Sequence, residues 1–424
     1  MYRKIESYYA ASANQSQSWP KLLGEITSDV CIIGGGYTGL STALHLQKRG
    51  YSTTILEAEH VAWGASGRNG GHVGTGQRAG QDVLEEKLGL EHATQLWEMG
   101  LEAVSTVTDL IEEHNIACDL KTGNLHVASK SDHVAGYRTE VEHLQQQYGY
   151  DQVRYIERDE LESMTSSRRF FGGMLDEGCR HLHPLNYALG LARAATELGC
   201  EIYENSRVTS YTGGETITVA TESGQVKSKF LVLACNGYLG KLEPRTAGKI
   251  MPINNFMLAT EPLSEDLARS LIRDDTSVSD SLFVIDYWKL SGDNRMLFGG
   301  GENYSSRFPA DIKGMVRKCM LKIYPELEHT KIDYAWGGTL AVTMNRLPHF
   351  GQLEGNILFA QGYSGHGVPT ATMAGKLIAE AVAGTAERFD VMSSIPTHTF
   401  PGGTLLRWPG LVAGMLYYSL RDHL

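Results

Sequence analysis

Three glycines, Gly34, Gly36 and Gly39, stand at the spacing G-x-G-x-x-G between an apolar run and a stretch with helical periodicity. In such a unit the first glycine makes a tight turn, the second lets the backbone approach a pyrophosphate, and the third lets the helix pack closely. The start of the helix, at Tyr37 and Thr38, would offer free N–H groups to phosphate oxygens. The motif therefore predicts a dinucleotide site, with an ordinary strand-turn-helix unit as the alternative.

An acid follows the motif at the distance that a nucleotide-binding unit requires. Glu57 lies 21 positions after Gly36 and closes a strand-like segment, residues 51–56, with Ala58 directly after it. A carboxylate at the end of that strand can accept a hydrogen bond from a ribose 2′-hydroxyl. This favours FAD or NAD(H) over NADP(H), and the motif alone does not choose between those two.

A second glycine cluster, WGASGRNGGHVG at residues 63–74, follows the acid closely. Its small residues let the backbone lie against a flat ring. We therefore predict contacts to the ring of the cofactor at Ser66, Arg68, Asn69, Gly70 and Gly71. The alternative is a flexible surface loop.

A third cluster places Gly365, His366 and Gly367 directly before a helical pattern. A helix N-terminus carries roughly half a positive charge and unpaired N–H groups. Aimed at the pyrimidine edge of a flavin, it would stabilise the negative charge that develops at N1 and O2 on reduction. The alternative is an ordinary glycine-rich turn before a surface helix.

Hydrophobic periodicity predicts the elements that must position these clusters. Around the first motif we expect a strand at 29–33, a helix ending at Gly50 and a strand at 51–56. Beyond it we expect one helix or two within 81–117, a strand at 123–128, helices at about 132–148 and 184–199, and strands at 200–204, 207–211, 215–221 and 225–229. The uniformly apolar run 230–234 predicts a central parallel strand, which ends near Gly237 in a turn where a ligand could lie. Residues 250–305 predict an antiparallel sheet, followed by a strand at 357–360 and a helix at 369–383.

Composition narrows the class of protein. The 424 residues carry a net charge of −11 and no basic block, which argues against a nucleic-acid partner. The six cysteines are never closer than 21 residues, so we predict no metal site and a reducing compartment. No signal-peptide core and no run of 18 apolar residues occurs, which predicts a cytoplasmic protein without a transmembrane segment. The apolar segment 405–424 predicts a terminal helix or an oligomer contact, with interfacial membrane contact as the alternative, and the oligomeric state stays open.

Together the three glycine clusters resemble those of the D-amino acid oxidase-like FAD-dependent amine oxidoreductases, the family that includes glycine oxidase and sarcosine oxidase. The similarity extends over nearly the whole chain. It implies that Gly34, Gly36 and Gly39 bind the FAD diphosphate, that Glu57 binds the adenosine ribose, and that Val208 contacts the adenine.

Within that family, the chain is most similar to the members that oxidise γ-glutamylated putrescine. The segments that carry this resemblance are SYYAASAN (7–14), GASGRNGG (64–71), DYWKLSGDNRMLFGGG (286–301), WGGTLAVTMNRLPHFG (336–351), QGYSGHGV (361–368) and the end of the tail, YYSLRDHL. The first and the last are the more specific, because they are not general features of the family.

Nucleotide-type elements lie at the start, middle and end of the chain, so two domains must be interleaved. We predict an α/β fold class, with a Rossmann-like FAD-binding domain interleaved with an antiparallel-sheet α+β substrate domain, as the resemblance to glycine and sarcosine oxidases implies. The FAD-binding domain is predicted at 28–76, 180–240 and 336–390, the substrate domain at 77–179 and 241–335, and a C-terminal tail at 391–424.

The resemblance implies oxidation of the terminal amine of γ-glutamylputrescine to an aldehyde with release of ammonia, a hydride passing to flavin N5. O2, giving H2O2, or another electron acceptor would reoxidise the flavin. One alternative is a related enzyme acting on another amine, an N-methyl compound or a D-amino acid; another is an FAD-binding electron-transfer or assembly subunit. Non-covalent FAD is expected, because Leu340 matches the cysteine that carries FAD in sarcosine oxidases, and Arg68 or Asn69 matches the histidine of dimethylglycine-type relatives.

The candidate catalytic residues are Tyr287, Lys289, Trp336 and His366. Lys289 is included because the lysine that promotes the oxygen reaction in sarcosine oxidase would fall near Met296 or Leu297, and neither can supply that charge. His366 is better suited to support the flavin ring than to act as a base.

Substrate contacts are predicted among the aromatic, histidine and arginine residues of the matched segments, which are His72, Tyr287, Trp288, Trp336, Arg346, His349 and Tyr363. An aromatic wall favours an alkylamine, and Arg68, Arg245 or Arg346 could hold a glutamyl carboxylate. Arg346 is also predicted to contact the cofactor. For each of these residues, a role in packing is the alternative.

Overall fold

The computed structural model describes residues 6–14, 17–303, 307–407 and 409. Within these residues the strands form two sheets, one of eight strands and one of nine. In chain order they are β1 (Gly24–Ile33), β2 (Thr53–Leu56), β3 (His72–Val73), β4 (Lys121–Val127), β5 (Val153–Ile156), β6 (Gly173–His181), β7 (Glu201–Tyr203), β8 (Val208–Thr212), β9 (Ile217–Thr221), β10 (Gly224–Leu233), β11 (Met251–Thr260), β12 (Ser277–Asp280), β13 (Tyr287–Leu290), β14 (Met296–Asn303), β15 (Ile332–Val342), β16 (His349–Leu353) and β17 (Ile357–Gln361).

The α-helices are α1 (Tyr8–Ala11), α2 (Tyr37–Gln47), α3 (Gln81–Leu88), α4 (Leu90–Glu113), α5 (His133–Tyr148), α6 (Arg158–Met164), α7 (Pro184–Glu197), α8 (Pro244–Ala247), α9 (Glu265–Leu271), α10 (Ile312–Ile323), α11 (Gly367–Val382) and α12 (Glu387–Ser393). The helical pattern at 81–117 forms two helices, because Gly89 lies between α3 and α4 with φ +83°. In the part of the chain that the structure describes, no helix is long and apolar enough to cross a membrane. Residues 410–424, which hold most of the predicted apolar tail, lie outside the described residues.

The first sheet has the strand order β16-β17-β10-β1-β2-β7, and the five strands from β17 to β7 are parallel. Its other two strands are antiparallel, with β9 paired to β10 and β8 paired to β9. β10 covers both predicted strands, 225–229 and 230–234, as one continuous strand. Its apolar end, Leu231–Leu233, pairs with β1 on one side and with β17 on the other. The prediction of a central parallel strand is therefore confirmed.

Helices α2, α4, α7 and α11 contribute to one apolar core on the first sheet. α2 and α11 approach each other closely, because a Cβ atom at Gly375 would lie 2.5 Å from the backbone nitrogen of Thr42. Ser41 Oγ adds a hydrogen bond of 2.6 Å to the carbonyl oxygen of Thr372. This contact fixes the helix that follows the first glycine motif against the helix that follows the third cluster.

The second sheet has the order β15-β11-β14-β13-β12-β4-β6-β3, with β5 paired to β6. Its pairs are antiparallel except for β12 with β4. Apolar residues of α6, α9 and α10 pack on it, and Trp288 lies fully buried in this core between Phe170 and Phe298. The antiparallel sheet predicted at 250–305 is confirmed in β11, β13 and β14.

The α/β fold class is confirmed, and the predicted domain boundaries differ from the two sheets in three places. β3 and β15 belong to the second sheet, although 28–76 and 336–390 were assigned to the FAD-binding domain. α4 was assigned to the substrate domain, yet its apolar side chains join the core of the first sheet. An amphipathic stripe shows that a helix is half-buried and does not show which sheet it covers.

Candidate active site

A cavity of ≈ 1350 Å³ opens at the carboxyl ends of β1, β2 and β10 and continues over the second sheet. Open parallel sheets bind their ligands at this end. Pockets for one small ligand usually measure about 300–1,000 Å³, so this cavity has room for a cofactor and a substrate together. All predicted cofactor contacts line the cavity except Gly39, Gly71 and Gly237.

The first glycine motif forms a turn that added side chains would fill. Gly34 has φ +114°, and a Cβ atom there would lie 2.7 Å from the carbonyl oxygen of Ala234. At Gly39 a Cβ atom would lie 2.0 Å from the carbonyl oxygen of Gly34, so this glycine serves packing and lies behind the cavity wall. Gly36 precedes α2 and faces the cavity, where a Cβ atom would lie 2.9 Å from Ser66 Oγ.

Glu57 lies at the carboxyl end of β2 and lines the cavity. Its Oε2 accepts a hydrogen bond of 2.8 Å from the backbone N–H of Gly35, and its Oε1 accepts one of 2.9 Å from that of Glu59. Burial raises the pKa of this carboxyl above its usual value, while the backbone donors oppose the shift. Ala58 and Val208 line the same part of the cavity, as expected for a nucleoside subsite.

The ring loop, residues 64–71, is folded by the side chain of Asn69. Its Nδ2 donates hydrogen bonds of 3.0 Å to the carbonyl oxygens of Ala65 and Ser66, and its Oδ1 accepts one of 2.7 Å from Gly71 N–H. Gly71 has φ +78°, and a Cβ atom there would lie 2.0 Å from the carbonyl oxygen of Leu182. Asn69 and Gly71 therefore shape the loop, while Ser66 and Gly70 present it to the cavity.

Arg68, in the same loop, is a buried guanidinium that lines the cavity. It stacks on the Trp63 ring at 4.2 Å, and its Nη1 donates to the carbonyl oxygen of Gly337 at 3.2 Å. Its Nε and Nη2 are buried and have no hydrogen-bond partner among the described residues. A buried donor left unpaired costs about 1–3 kcal/mol, so Arg68 is prepared for an acceptor that the ligand brings.

The third cluster lies at the start of α11. Gly365 has φ +94°, and His366 is the residue before the helix, with no side-chain cap bond. The Nε2 atom of His366 is buried without a partner in the described parts of the chain, and its ring lies against Gly74. Burial lowers the pKa of His366 to about 4, so the imidazole is neutral at pH 7. The free N–H groups of α11 and this imidazole face the same cavity as the ring loop.

These features fit FAD. The glycine turn leaves space where a side chain would otherwise be, the first turn of α2 supplies N–H groups, and Arg68 keeps unpaired donors inside the cavity. Glu57 stands where a ribose hydroxyl would need an acceptor. The ring loop and the α11 N-terminus come from segments about 300 residues apart in the chain and line one space.

Two of the predicted substrate residues form a neutral wall. Tyr287 lines the cavity, and its hydroxyl donates a short hydrogen bond to Asn255 Oδ1. The His72 ring stands edge-on to Tyr287, with ring centres 5.5 Å apart. Burial lowers the pKa of His72 to about 4. This wall therefore offers hydrogen-bonding groups without charge.

Three predicted substrate residues do not line the cavity. Trp336 packs against Tyr9 and donates a hydrogen bond of 3.1 Å to the carbonyl oxygen of Arg68, so it positions the ring loop from behind. Trp288 lies in the core of the second sheet. His349 lies between strands, where its Nδ1 is 3.1 Å from Gln361 Nε2. We correct all three predictions, since none of these side chains lines the cavity.

Lys289 is fully buried behind the ring loop and does not line the cavity. Its Nζ donates a hydrogen bond of 2.5 Å to the carbonyl oxygen of Leu182, and it would lie 3.2 Å from a Cβ atom at Gly71. Burial lowers the pKa of Lys289 to about 8. A catalytic contact to substrate is excluded by this position, whereas an electrostatic influence through the loop is compatible with it.

Of the remaining predicted residues, Arg245 is bound in ion pairs, whereas Arg346 and Tyr363 line the cavity. Arg245 forms ion pairs with Glu243 at 2.7 Å and Glu354 at 2.8 Å, so it is a poor candidate for a substrate carboxylate. Arg346 lines the cavity and lies over the Phe283 ring at 5.1 Å. The hydroxyl of Tyr363 is 2.6 Å from Thr38 Oγ1, which links the first and third clusters.

Gly237 lies outside the cavity lining, in contrast to its neighbours Cys235 and Asn236. A Cβ atom at Gly237 would lie 3.1 Å from the carbonyl oxygen of Leu340. This glycine therefore lets the turn after β10 pack on β15. The prediction of a cofactor contact at Gly237 is corrected to a packing role, while Asn236 lines the cavity.

Sequence reasoning missed a set of charged and polar residues where the cavity reaches the second sheet, namely Arg78, Asn124, His126, Glu140, Asp176 and Asp280. They come from the loop before α3 and from β4, α5, β6 and β12. No spacing joins them in the sequence. The one available signal was the alternating polar pattern of β12, S-V-S-D.

The chain is similar in sequence to a known protein family and to individual proteins. A family model described as "DAO: FAD dependent oxidoreductase" matches residues 29–381. The chain is 42% identical to γ-glutamylputrescine oxidoreductase of Escherichia coli (strain K12), over 100% of both chains. It is 38% identical to the probable oxidoreductase OrdL of Rhizobium meliloti (strain 1021), over 98% of this chain and 97% of that one.

Among solved structures, glycine oxidase from Geobacillus kaustophilus superposes with a TM-score of 0.71 at 20% identity, covering 84% of this chain and 95% of that one. L-proline dehydrogenase from P. horikoshii superposes with a TM-score of 0.70 at 22% identity, covering 86% of this chain and 94% of that one. At these identities the structures show a shared fold.

Proposed function

This chain belongs to the DAO family of FAD-dependent oxidoreductases, and from that membership we propose that it oxidises the terminal primary amine of γ-glutamylputrescine. The products are the aldehyde, γ-glutamyl-γ-aminobutyraldehyde, and ammonia. One observation carries the choice of substrate: the identity of 42% to the E. coli protein extends over the full length of both chains. It includes the segment that forms α1, whose Tyr9 packs on Trp336 behind the ring loop.

When bound, FAD supplies the acceptor for the hydride equivalent of the C–H bond next to the amine. The turn at Gly34 and Gly36 and the start of α2 would hold its diphosphate, and Glu57 would hold the adenosine ribose. Arg68 would give its two unpaired donors to the cofactor. The protein's own contribution to the reaction is to orient the amine, keep it neutral and exclude water.

The neutral wall of His72 and Tyr287, together with the neutral His366 in the same cavity, suits a neutral amine. Both imidazoles are neutral at pH 7, since their pKa values lie near 4. Moving an ammonium from water to such a wall lowers its pKa, because no charge replaces the lost hydration. The protonated amine would thus lose its proton on entering this part of the cavity, which the oxidation of its C–H bond requires.

We further propose that O2 accepts the electrons, so that amine, O2 and water give aldehyde, ammonia and H2O2. The position of Lys289 supports this proposal, because it places a cation behind the ring loop next to Gly71. FAD is expected to be non-covalent, since Leu340, Arg68 and Asn69 line the cavity where relatives with covalent FAD carry cysteine or histidine. Acid precipitation should therefore release all of the flavin into the supernatant.

The test is anaerobic reduction of the purified yellow protein by γ-glutamylputrescine, putrescine, sarcosine and D-alanine. We expect γ-glutamylputrescine to bleach the flavin fastest at equal concentration, and air to restore the colour with formation of H2O2. Equal or faster bleaching by another compound would assign the chain to a related amine or amino acid oxidoreductase. The absence of bleaching with every compound would favour an electron-transfer or assembly subunit.

A further inference from the structure

The distal lobe of the cavity, lined by Arg78, Asn124, His126, Glu140, Asp176 and Asp280, is built from charged and polar side chains. Five segments contribute to it: the loop before α3, strand β4, helix α5, strand β6 and strand β12. It adjoins the third cluster, because Arg78 acts electrostatically on both His366 and His126. Nothing in the FAD-binding features described above uses these residues.

The acidic side of the lobe holds two carboxylates in different surroundings. Asp176 is fully engaged by protein donors, the hydroxyls of Thr75 and Tyr150 at 2.6 Å each and Gly178 N–H at 2.9 Å. Glu140, by contrast, has no hydrogen bond or ion pair with any residue that the structure describes. Glu140 is accessible to solvent, and its enclosure by the cavity walls together with the nearby carboxylates of Asp82 and Asp176 raises its pKa. A cation bound there would remove this repulsion.

Asn124 supplies a second unused acceptor on the same side. Only 5% of this residue is exposed, and its Oδ1 is buried without a partner among the described residues. It lies opposite Asp176 in the pairing of β4 with β6. Because buried polar atoms are nearly always hydrogen-bonded, an unpaired oxygen that lines a cavity indicates a donor on the ligand.

The basic side of the lobe is Arg78, which is accessible to solvent. Arg78 faces the cavity and forms no hydrogen bond or ion pair within the described parts of the chain. Enclosure by the cavity walls and the nearby guanidinium of Arg346 lower the pKa of Arg78. The charges of both Arg78 and Asp176 act on His126, so the basic and the acidic side of the lobe border the same space. The lobe therefore offers a guanidinium and a carboxylate to a ligand that carries both an anionic and a cationic group.

We infer that the distal lobe binds the α-amino acid head of the substrate, with its carboxylate on Arg78 and its ammonium on Glu140 and Asn124. This inference rests on the proposed function and adds to it how the substrate is chosen. The reacting amine does not fit the lobe, because the negative charge of Glu140 would keep it protonated and so prevent its oxidation. The head can stay charged, since it does not react.

The experiment pairs two variants with three substrates that share the amide and the terminal amine. γ-Glutamylputrescine carries both head groups, glutarylputrescine lacks the α-amino group, and 4-aminobutanoylputrescine lacks the α-carboxylate. Arg78→Gln should weaken the binding of the first two compounds by roughly 10- to 100-fold and leave the third unchanged. Glu140→Gln should weaken the first and third and leave glutarylputrescine unchanged. Binding is read as the dissociation constant in anaerobic flavin reduction, with the limiting rate at saturation expected to stay the same.

Matched controls lie on α5 outside the cavity. Glu142 is exposed two positions from Glu140, and Arg138 is exposed and paired with Glu157 at 2.7 Å. Glu142→Gln and Arg138→Gln should bind all three compounds like the wild type. Arg78→Lys, which keeps the positive charge, should recover part of the binding that Arg78→Gln loses. Equal FAD content in all variants shows that the fold is retained.

The outcomes separate this inference from the proposed function. If γ-glutamylputrescine does not bleach the wild type, both fail. If it does, and Arg78→Gln and Glu140→Gln bind all three compounds with unchanged constants, only the inference fails. It also fails if each variant weakens all three compounds by the same factor, because that result would reflect a general distortion of the cavity.

Discussion

The two ends of the cavity recognise their ligands by different means. At the nucleotide end the wall is main chain, with glycines at Gly34 and Gly36 and the N–H groups that begin α2. At the distal lobe the wall is made of charged side chains, with Arg78 on one side and Glu140 on the other. The first kind of wall recognises mainly the shape of the dinucleotide backbone, whereas the second distinguishes substrates by their charges.

The two ends of the cavity differ in how they tolerate amino-acid substitutions. A Cβ atom at Gly39 would come within 2.0 Å of the Gly34 carbonyl oxygen, so a side chain there would move the backbone itself. In α5, which borders the lobe, a Cβ atom at Gly136 would meet nothing within 4 Å. Exchanges at the nucleotide end therefore act on cofactor binding as a whole. Exchanges at the lobe alter the choice of substrate and leave the cofactor in place.

The largest effect is expected from Gly36→Val, which adds volume at the nucleotide end and moves only the side chain of Ser66, whose Oγ would lie 2.9 Å from the new Cβ atom. Gly36 has φ −91° and ψ −173°, a conformation that valine adopts readily, so the chain should still fold. The new side chain would occupy the space of the pyrophosphate. We expect purified Gly36→Val to contain no FAD, measured as the ratio of absorbance at the flavin band to that of the protein.

Gly136→Val is the control for that substitution, since Gly136 lies in open space on α5. It should retain the full flavin content of the wild type. A yellow Gly36→Val protein would contradict the placement of the diphosphate at this turn. A loss of secondary structure in its circular dichroism spectrum would instead show that the glycine serves folding.

The nucleotide end was predictable from the sequence because its residues act through the backbone at fixed spacing. Gly34, Gly36 and Glu57 belong to one continuous strand-turn-helix-strand unit, whose geometry the spacing determines. The ring loop and the α11 N-terminus were found for the same reason. The fold class followed from strands of uniform apolar character, such as β10, and from strands that alternate, such as β11.

The distal lobe was not predictable, because its residues meet only through tertiary structure. Glu140 lies on a largely exposed helix where an acid is expected for solubility, and Arg78 lies in a loop without a motif. Trp336 and Lys289 were predicted as site residues, and neither lines the cavity. Both lie in segments that match the family, yet they reach the ring loop from behind and support it. A matched segment shows that a strand is near the site, and it does not show which of its faces points inward.

A smaller effect is expected from Glu57→Gln, which tests whether a side chain at the nucleotide end contributes to FAD binding. The carboxylate accepts two backbone N–H groups and faces the cavity at the end of β2. Glutamine keeps one acceptor oxygen and turns an N–H₂ group toward a backbone donor. FAD should bind the apoprotein roughly 10- to 100-fold more weakly, measured by the quenching of FAD fluorescence on titration.

Glu25→Gln serves as the matched control, since Glu25 lies at the other end of β1 and is exposed. Its affinity for FAD should equal that of the wild type. If Glu57→Gln also binds FAD normally, the nucleotide end would be a purely main-chain site, and Glu57 would serve only to hold the turn at Gly35.

The smallest effect is expected from Asp286→Asn, which tests whether the charged end of the cavity depends on pH. Asp286 N–H donates a hydrogen bond of 3.1 Å to Oδ1 of Asp280, which lines the cavity. Burial raises the pKa of Asp280 to about 6, and burial together with the charge of Asp280 raises the pKa of Asp286 to about 7. The folded protein thus keeps protons that the unfolded chain, with a usual aspartate pKa of 3.8, has already released.

Because unfolding then releases protons, the free energy of unfolding falls as the pH rises from about 4 to 7. Removing one of the two acids should make the variant more stable than the wild type at pH 8 by on the order of 1 kcal/mol, with a much smaller difference at pH 4. Chemical unfolding of both proteins at the two pH values, with the same excess of FAD, measures how the difference in their free energies of unfolding changes with pH. If the two proteins differ in stability by the same amount at both pH values, the protonation of Asp280 and Asp286 does not change on unfolding. Any pH dependence of stability would then come from other residues.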